Sequence, residues 1–277
     1  VRDSALIGPV EAPDLQVMTF NIRRRMPLDP RPADSWSRRE PAVAAVLEEA
    51  RPTLLGVQEA LPGQAAAVKR ALGRGYRMLG HGRNADGRGE GTPLFFDSTR
   101  LRLLEWQQLA VSATPDVPGS RTWGNRTPRM LVRALFLDRV TSARFIMINT
   151  HLDNASRRSR FEGARMLRQR AESDGLPTII TGDFNSGEGT EPLDELFSDG
   201  ALVDAWHAAA RRLSPLWGTF ENYRDPRPHR KRIDWIVVSA AIEVSAVQIG
   251  VRRPKGVWPS DHLPVQAVVR IPAPDAV

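Results

Sequence analysis

The sequence predicts an α/β fold of two packed sheets with helices on the outside, and three observations predict it. Apolar runs of strand length alternate with amphipathic helical stretches from Leu15 to Ile271. Extra short strands accompany each of two βαβ-like halves, more than one sheet needs. Several of the apolar runs end in a polar cluster, the pattern of a fold that gathers strand ends into one pocket.

Leu15 to Asn21 is β-prone and ends in polar residues. Val43, Val46, Leu47 and Ala50 recur at helical spacing, with Ser35 or Ser37 as a cap and Pro41 tolerable in the first turn, so an amphipathic helix is expected. After the Arg51-Pro52 break, Thr53 to Gln58 reads as a second strand, and Leu61, Ala65, Val68 and Leu72 give a second helical face. Short strands fill Tyr76 to Val111, interrupted by the glycine-rich run 80–91. That run lacks the Gly-Lys-Ser/Thr ending of a phosphate-binding P-loop and reads as a flexible surface loop near the site mouth. A second long loop, Ser112 to Arg129, is of a length that is usually functional or disordered. Strands at Met130 to Leu137 and Arg144 to Asn149 follow, then a helix from Ser156 with Phe161, Ala164, Leu167 and Ala171 on one face. Pro177 to Thr181 is a short strand, Glu191 to Phe197 is helical, and Ala205 to Arg212 continues the alternation. Strands at Arg232 to Ser239, Ile242 to Gly250 and Leu263 to Ile271 end the chain's regular structure.

The 277 residues, 41% hydrophobic, suit one soluble domain, with no repeat or linker. We place it at 14–272, with a loose leader over 1–13 and a tail over 273–277, and expect a monomer. No run approaches the roughly 18 apolar residues of a membrane span. No basic segment followed by an apolar stretch opens the chain, so localisation stays open, the cytoplasm slightly favoured over secretion. The absence of Cys excludes disulfides, thiolate zinc sites and thiol nucleophiles. The net charge is +7, and the only lysines are Lys69, Lys231 and Lys255. Arginine forks match phosphate oxygens, although a compositional habit of the genome explains the bias equally well.

The polar clusters carry more information. They are Asn21, Gln58-Glu59, the run Asn149-Thr150-His151-Leu152-Asp153-Asn154, Thr181-Gly182-Asp183-Phe184-Asn185, Asp234, and Ser260-Asp261-His262. Hydrolysis of a phosphate ester needs a hard cation on the phosphoryl oxygens, a base for water, and donors that match the growing charge. Asn21, Glu59 and Asp261 supply oxygen ligands for Mg2+ or Mn2+, which would keep several waters beside them. Asp183 is the natural base, with Asn185 expected on the same strand face. Asp234 and His262 form a carboxylate–imidazole pair in which the acid orients the ring and raises its basicity.

These six motifs, in this order, resemble the endonuclease/exonuclease/phosphatase superfamily over Leu15 to Ile271. The resemblance implies a four-layer α/β sandwich and a divalent-metal-dependent phosphoesterase. It implies a metal at Glu59 with help from Asn21 and Asp261, and a water activated by Asp183 and held by Asn185. His151 and His262 would contact the scissile phosphate, Asp234 would stand behind His262, and Asn154 would orient a phosphate oxygen or the nucleophile. The segments Pro118 to Gly124, Arg129 and Trp258 to His262 look most like small bacterial members near the deadenylase branch. Abasic-site endonucleases carry Tyr where His151 stands, which argues against that assignment.

Arg23-Arg24-Arg25 follows Asn21 and His229-Arg230-Lys231-Arg232 precedes Asp234, so both clusters are expected at the pocket rim, where Arg23 and Arg232 would grip phosphate or simply face solvent. Trp123 and Trp258 could stack a base or fill a core gap, and Arg129 could reach the phosphate or cap the sheet. Asp153 reads equally as a metal-site partner or a loop acid, while His81, His207 and His229 read as surface residues. The substrate expected is a nucleic acid or nucleotide. Rival readings are an inositol phosphate or phospholipid, and a nucleic-acid-binding module with weak or no catalysis.

Overall fold

A residue's place in a strand decides which face of the sheet it joins, and this alternation sorts the chain's apolar residues into three layers. The computed structural model describes residues 2–28, 31, 34–228 and 230–273. Its first strands are β1 (Leu15–Asn21), β2 (Leu54–Gln58), β3 (Tyr76–Leu79), β4 (Leu94–Asp97), β5 (Leu101–Ala110) and β6 (Met130–Asp138). Next come β7 (Arg144–His151), β8 (Thr178–Asp183), β9 (Leu202–Asp204), β10 (Arg211–Arg212), β11 (Asp234–Ser239), β12 (Glu243–Ile249) and β13 (Val265–Arg270). The helices are α1 (Trp36–Ala50), α2 (Pro62–Leu72), α3 (Arg157–Asp174), α4 (Glu191–Leu196) and the single turn α5 (Ala205–Ala208).

Two mixed sheets result. One runs β10-β12-β13-β1-β2-β4-β3, the other β5-β6-β7-β8-β11-β9. Leu15, Val17 and Leu54 of the first face Phe145, Met147, Ile179 and Ile236 of the second in a shared inner core. On the opposite face of the first sheet, Met18, Phe20 and Val57 pack under Val43, Val46 and Leu47 of α1 and Val68 of α2. Ile146, Ile148, Ile180 and Val237 of the second sheet likewise pack against Ala164 and Leu167 of α3 and Leu193 and Leu196 of α4. The order is therefore helices, sheet, sheet, helices. Each such buried Leu, Ile or Phe contributes about 1.5 to 3 kcal/mol, which fixes the sheets face to face.

The inner faces change chemistry along their length. Positions 15, 17, 19 and 21 of β1 read Leu, Val, Thr, Asn, and 145, 147, 149 and 151 of β7 read Phe, Met, Asn, His. On β8 the inward series is Ile179, Thr181, Asp183. Polar residues thus gather at one end of the sandwich. Just below that end a buried network joins the sheets: Gln58 Nε2 donates to Asn149 Oδ1 at 2.8 Å, Thr181 Oγ1 donates to the same oxygen at 3.1 Å, and Asn149 Nδ2 donates to Val57 O at 2.9 Å. Gly56 permits this approach, because a Cβ there would lie 2.3 Å from Thr181 Oγ1 and 2.4 Å from Asn149 Oδ1.

Three expectations need correction. The segment read as a loose leader is tied down: Ile7 N donates to Gln248 Oε1 and Gln266 Oε1 at 3.1 and 3.2 Å, and Ser4 N to Val251 O at 2.8 Å. The three buried amides of Gln16, Gln248 and Gln266, on the outer face of the first sheet, give this strap its partners. The glycine-rich run is not a loose loop either, because Arg83 N donates to Glu90 O and Gly91 pairs with Ala60 in both directions, closing a hairpin. Ala205 to Arg212 splits into one helical turn and the short edge strand β10. Val1, His229 and residues 274–277, which belong to the expected leader, rim cluster and tail, lie outside the described residues. Among the described residues no helix is long and apolar enough to cross a membrane.

Candidate active site

Strand register delivers the chemistry. Asp183 at the end of β8 stands opposite His151 on parallel β7 and opposite Asp234 on antiparallel β11, so three neighbouring strands present three polar side chains in one row. From the facing sheet, Asn21 pairs in register with Gln58, and Glu59 follows one residue later with φ 63°. That left-handed backbone turns Glu59 off the strand path. His262 is held in the loop before β13, where Leu263 N donates to Thr219 O at 2.8 Å and Phe220 packs on the imidazole with ring centres 4.9 Å apart.

The groups converge on Asp183. Its Oδ2 accepts from Asn21 Nδ2 at 3.0 Å and lies 3.4 Å from His151 Nε2 and 3.8 Å from His262 Nε2. Its Oδ1 accepts from Asn185 N at 2.9 Å. Asn185 therefore does not continue the strand face: it turns back at φ 50°, and its Nδ2 lies 3.0 Å from Leu152 O and 3.1 Å from His151 Nε2. His262 Nδ1 bonds Asp234 Oδ2 at 2.8 Å. Glu59 accepts from Asn21 Nδ2 at 3.2 Å and from Arg24 N at 3.1 Å. Arg39, only 1% exposed, ties the surrounding loops together by donating to the carbonyls of Ile22, Pro259, Asp34 and Arg23.

The environment separates the protonation states. Burial and the nearby charge of Asp234 push Asp183 up to about 7, against the pull of His262 and the bonds from Asn185 and Asn21. Burial alone would lower His262, but Asp234, with Asp183 and Asp261 beyond, holds the ring well above its ordinary value as an imidazolium. His151 is held well below its ordinary value by burial, helped by the charges of Arg129, His262 and Arg83, and is neutral. Asp261 is raised by burial, and the charge of Glu59 adds to that rise. A divalent cation between Glu59 and Asp261 would relieve this repulsion, and both offer the carboxylate oxygens that a hard cation prefers. Asp183, Asp234 and His262 also lie close enough to form a ligand set. An imidazolium already bonded to Asp234 has no lone pair to offer, so the Glu59 and Asp261 pair suits the ion better.

These side chains line a cavity of about 440 Å³. Glu59, His151, Asn154, Asp183, Asn185, Asp261, His262 and Arg129 all border it, while Asn21 and Asp234 stand behind the lining. Arg129 reaches Asp153 at 3.1 Å and Asn154 at 3.1 Å. The remaining sequence candidates fall elsewhere. Arg232 turns from the rim into the fold, where it pairs with Asp204 at 3.0 Å and lies over the Trp235 ring, because its strand entry faces β9. Trp123 is buried against the α3 side of the second sheet, and Trp258 packs on the inner core with Arg253 over its ring. Arg23 is beside the site, 2.7 Å from Tyr223 Oη and 3.8 Å from Asp261, but its neighbour Arg24 is the one that borders the cavity. Arg83, Glu90 and Phe220 were not among the expected residues and also border it. Arg83 and Glu90 arrive on the glycine-rich run that the sequence placed near the site mouth, but its glycines gave no sign that the run is an ordered hairpin carrying these two side chains to the lining.

The sequence description of the endonuclease/exonuclease/phosphatase family matches residues 18–262, which span every converging side chain from Asn21 to His262. The chain belongs to this family. It is a metal-dependent hydrolase of phosphoric esters with the family's four-layer sandwich. A family protein from Bacteroides thetaiotaomicron is 30% identical, with TM-score 0.86 over 92% of this chain and 97% of that one. A mannosyl-6-phosphatase from the same organism is 29% identical, with TM-score 0.85 over 92% and 99%. The human Nocturnin catalytic domain, solved with bound sulfate, shares the fold at 20% identity and TM-score 0.70, over 94% of each chain. Among curated protein sequences there is no significant match.

Proposed function

We propose that the chain is a magnesium- or manganese-dependent hydrolase of small phosphate esters, of sugar-phosphate or nucleotide size, acting by in-line attack of water. The observation that carries this reading is the 440 Å³ cavity, which Asp183 and His262, backed by Asp234, line together with Arg24, Arg83 and Arg129. A cup of that size holds a phosphate and one modest substituent. The 29% identical mannosyl-6-phosphatase supports a small monoester as the substrate class. A nucleotide is the second reading, favoured by Phe220, which is 48% exposed beside His262 and offers a face on which a base could stack.

Glu59 and Asp261, with Asn21 adjoining, would hold the cation, which supplies Lewis-acid charge at the phosphoryl oxygens. Asp183 accepts the proton of the attacking water, and its raised affinity for protons makes it an effective base near neutral pH. Asn185 fixes Asp183 through its backbone N–H and the neighbouring His151 through its amide. The His262 imidazolium donates Nε2–H toward a phosphoryl oxygen, and Asp234 keeps it charged and oriented. Arg129 positions Asn154 at the cavity edge.

The test is phosphate release from sugar phosphates, nucleotides, inositol phosphates and oligonucleotides with added Mg2+ or Mn2+. Release from a small ester is expected, abolished by a chelator and lowered about 10² to 10⁴-fold in Asp183→Asn. Cleavage confined to oligonucleotides, or turnover indifferent to the chelator, would overturn it.

A further inference from the structure

Resting on that phosphoesterase reading, we propose that Arg83, held in place by Glu90, is a specificity residue that selects the dianionic phosphate of a monoester over the monoanionic phosphate of a diester. The two residues face each other across the 82–91 hairpin, and both border the cavity beside Glu59, His151 and Arg129. Arg83 and Glu90 form an ion pair with side chains only 14% and 10% exposed. The hairpin does not need this pair to close. Its backbone is already joined by Gly82 N to Gly87 O at 2.9 Å, Arg83 N to Glu90 O at 3.0 Å and Asn84 N to Arg88 O at 3.0 Å. A guanidinium that pairs with Glu90 and still borders the cavity is available to an anion that enters it.

The surrounding wall is anchored on this side. The hairpin is pinned to the end of β2 by the mutual bonds of Ala60 and Gly91, at 3.2 and 2.8 Å. Its tip abuts the 112–129 loop, where a Cβ on Gly119 would lie 2.8 Å from Ala85 N. Arg83 therefore stands beside Arg129 on a pinned hairpin, and the same two arginines border a smaller cavity of about 60 Å³. A monoester presents three terminal oxygens and two charges to this wall, and the guanidinium fork can engage two of those oxygens. A diester gives up one such oxygen to a second substituent, which would meet the buried ion pair. Glu90 acts as a positioning residue, since it fixes the fork without itself reaching the phosphate.

The experiment compares 4-nitrophenyl phosphate with bis(4-nitrophenyl) phosphate under one metal condition. The wild type is expected to prefer the monoester. Arg83→Gln should lower kcat/KM on the monoester by roughly 10- to 100-fold, the size of a lost charged hydrogen bond, and leave the diester within about threefold. Because Arg83→Gln strands a buried carboxylate, Arg83→Gln/Glu90→Gln is measured beside it, with circular dichroism to verify folding, and the same selective loss is expected. Competitive inhibition by inorganic phosphate should weaken by the same factor in both variants. Equal losses on the two substrates, no loss, or a wild type that prefers the diester would overturn the inference while leaving the phosphoesterase reading intact. A wild type that hydrolyses neither with any divalent cation would overturn both.

Discussion

Asp183 is a carboxylate that the fold makes uncomfortable. Buried beside Asp234, it is pushed from an ordinary value of 3.8 up to about 7. The folded chain therefore binds this proton more tightly than the unfolded chain does, so the contribution of Asp183 to metal-free stability is greatest below the ordinary carboxylate range and is lost as pH rises from about 4 to about 7. Asp183→Asn removes this titration, and the expected outcome is a flatter dependence of Tm on pH across that window in the presence of a chelator. A variant with the wild-type slope would contradict it. His262 is also raised, but for an ionic reason, since Asp234 favours its charged form, and the stability it contributes is lost only as pH climbs through its raised value. The sequence made Asp183, Asp234 and His262 legible as a base and an acid–imidazole pair because each stands at one end of an apolar run. It could not show that Asn185 turns back toward His151 or that Arg232 turns into the fold, since those depend on a left-handed backbone and on Asp204 across the sheet.

At the scale of elements, parity along the strands does the positioning. The same alternation that sends Leu15 and Val17 inward sends Thr19 and Asn21 inward, and the gradient from apolar to polar ends at the cavity. Gly56 sits where β2 passes closest to the second sheet, and its lack of a side chain is a packing requirement. Gly56→Ala should destabilise by about 1 to 3 kcal/mol, seen as a lowered Tm, because Asn149 is fixed by bonds to Val57, Thr92 and Pro93 and cannot give way. Gly63→Ala is the contrasting case: it lies in the first turn of α2 with nothing within 4 Å of a Cβ, and should raise stability by up to about 1 kcal/mol. Equal effects at the two positions would refute this account. Most of the longer strands and helices were readable to within a few residues from periodicity and breakers, while the short edge strands β9 and β10 were not. The hairpin at 82–91 was not, because its glycines signal freedom while its backbone bonds and its docking on Ala60 supply the order.

For the molecule as a whole, the site exists only where the two sheets meet. Asn21, Glu59 and Asp261 come from one sheet and its loops, and Asp183, His151 and Asp234 from the other, so unfolding scatters the ligand set. A cation that binds the folded chain alone should therefore stabilise it, by about 2.7 kcal/mol at a hundredfold excess over Kd. We expect Mg2+ or Mn2+ to raise Tm in the wild type and much less in Glu59→Gln, measured by thermal denaturation without substrate. An equal rise in both would remove Glu59 from the ion's site. The sequence by itself determined the α/β alternation, the strand ends and the types of residue at them, because strand period, helix period and chemical type are local properties. Only the tertiary structure decided which ends share a cavity, which arginines border it and which acid titrates high, because those follow from sheet pairing, burial and through-space charge between residues tens to hundreds of positions apart in the chain.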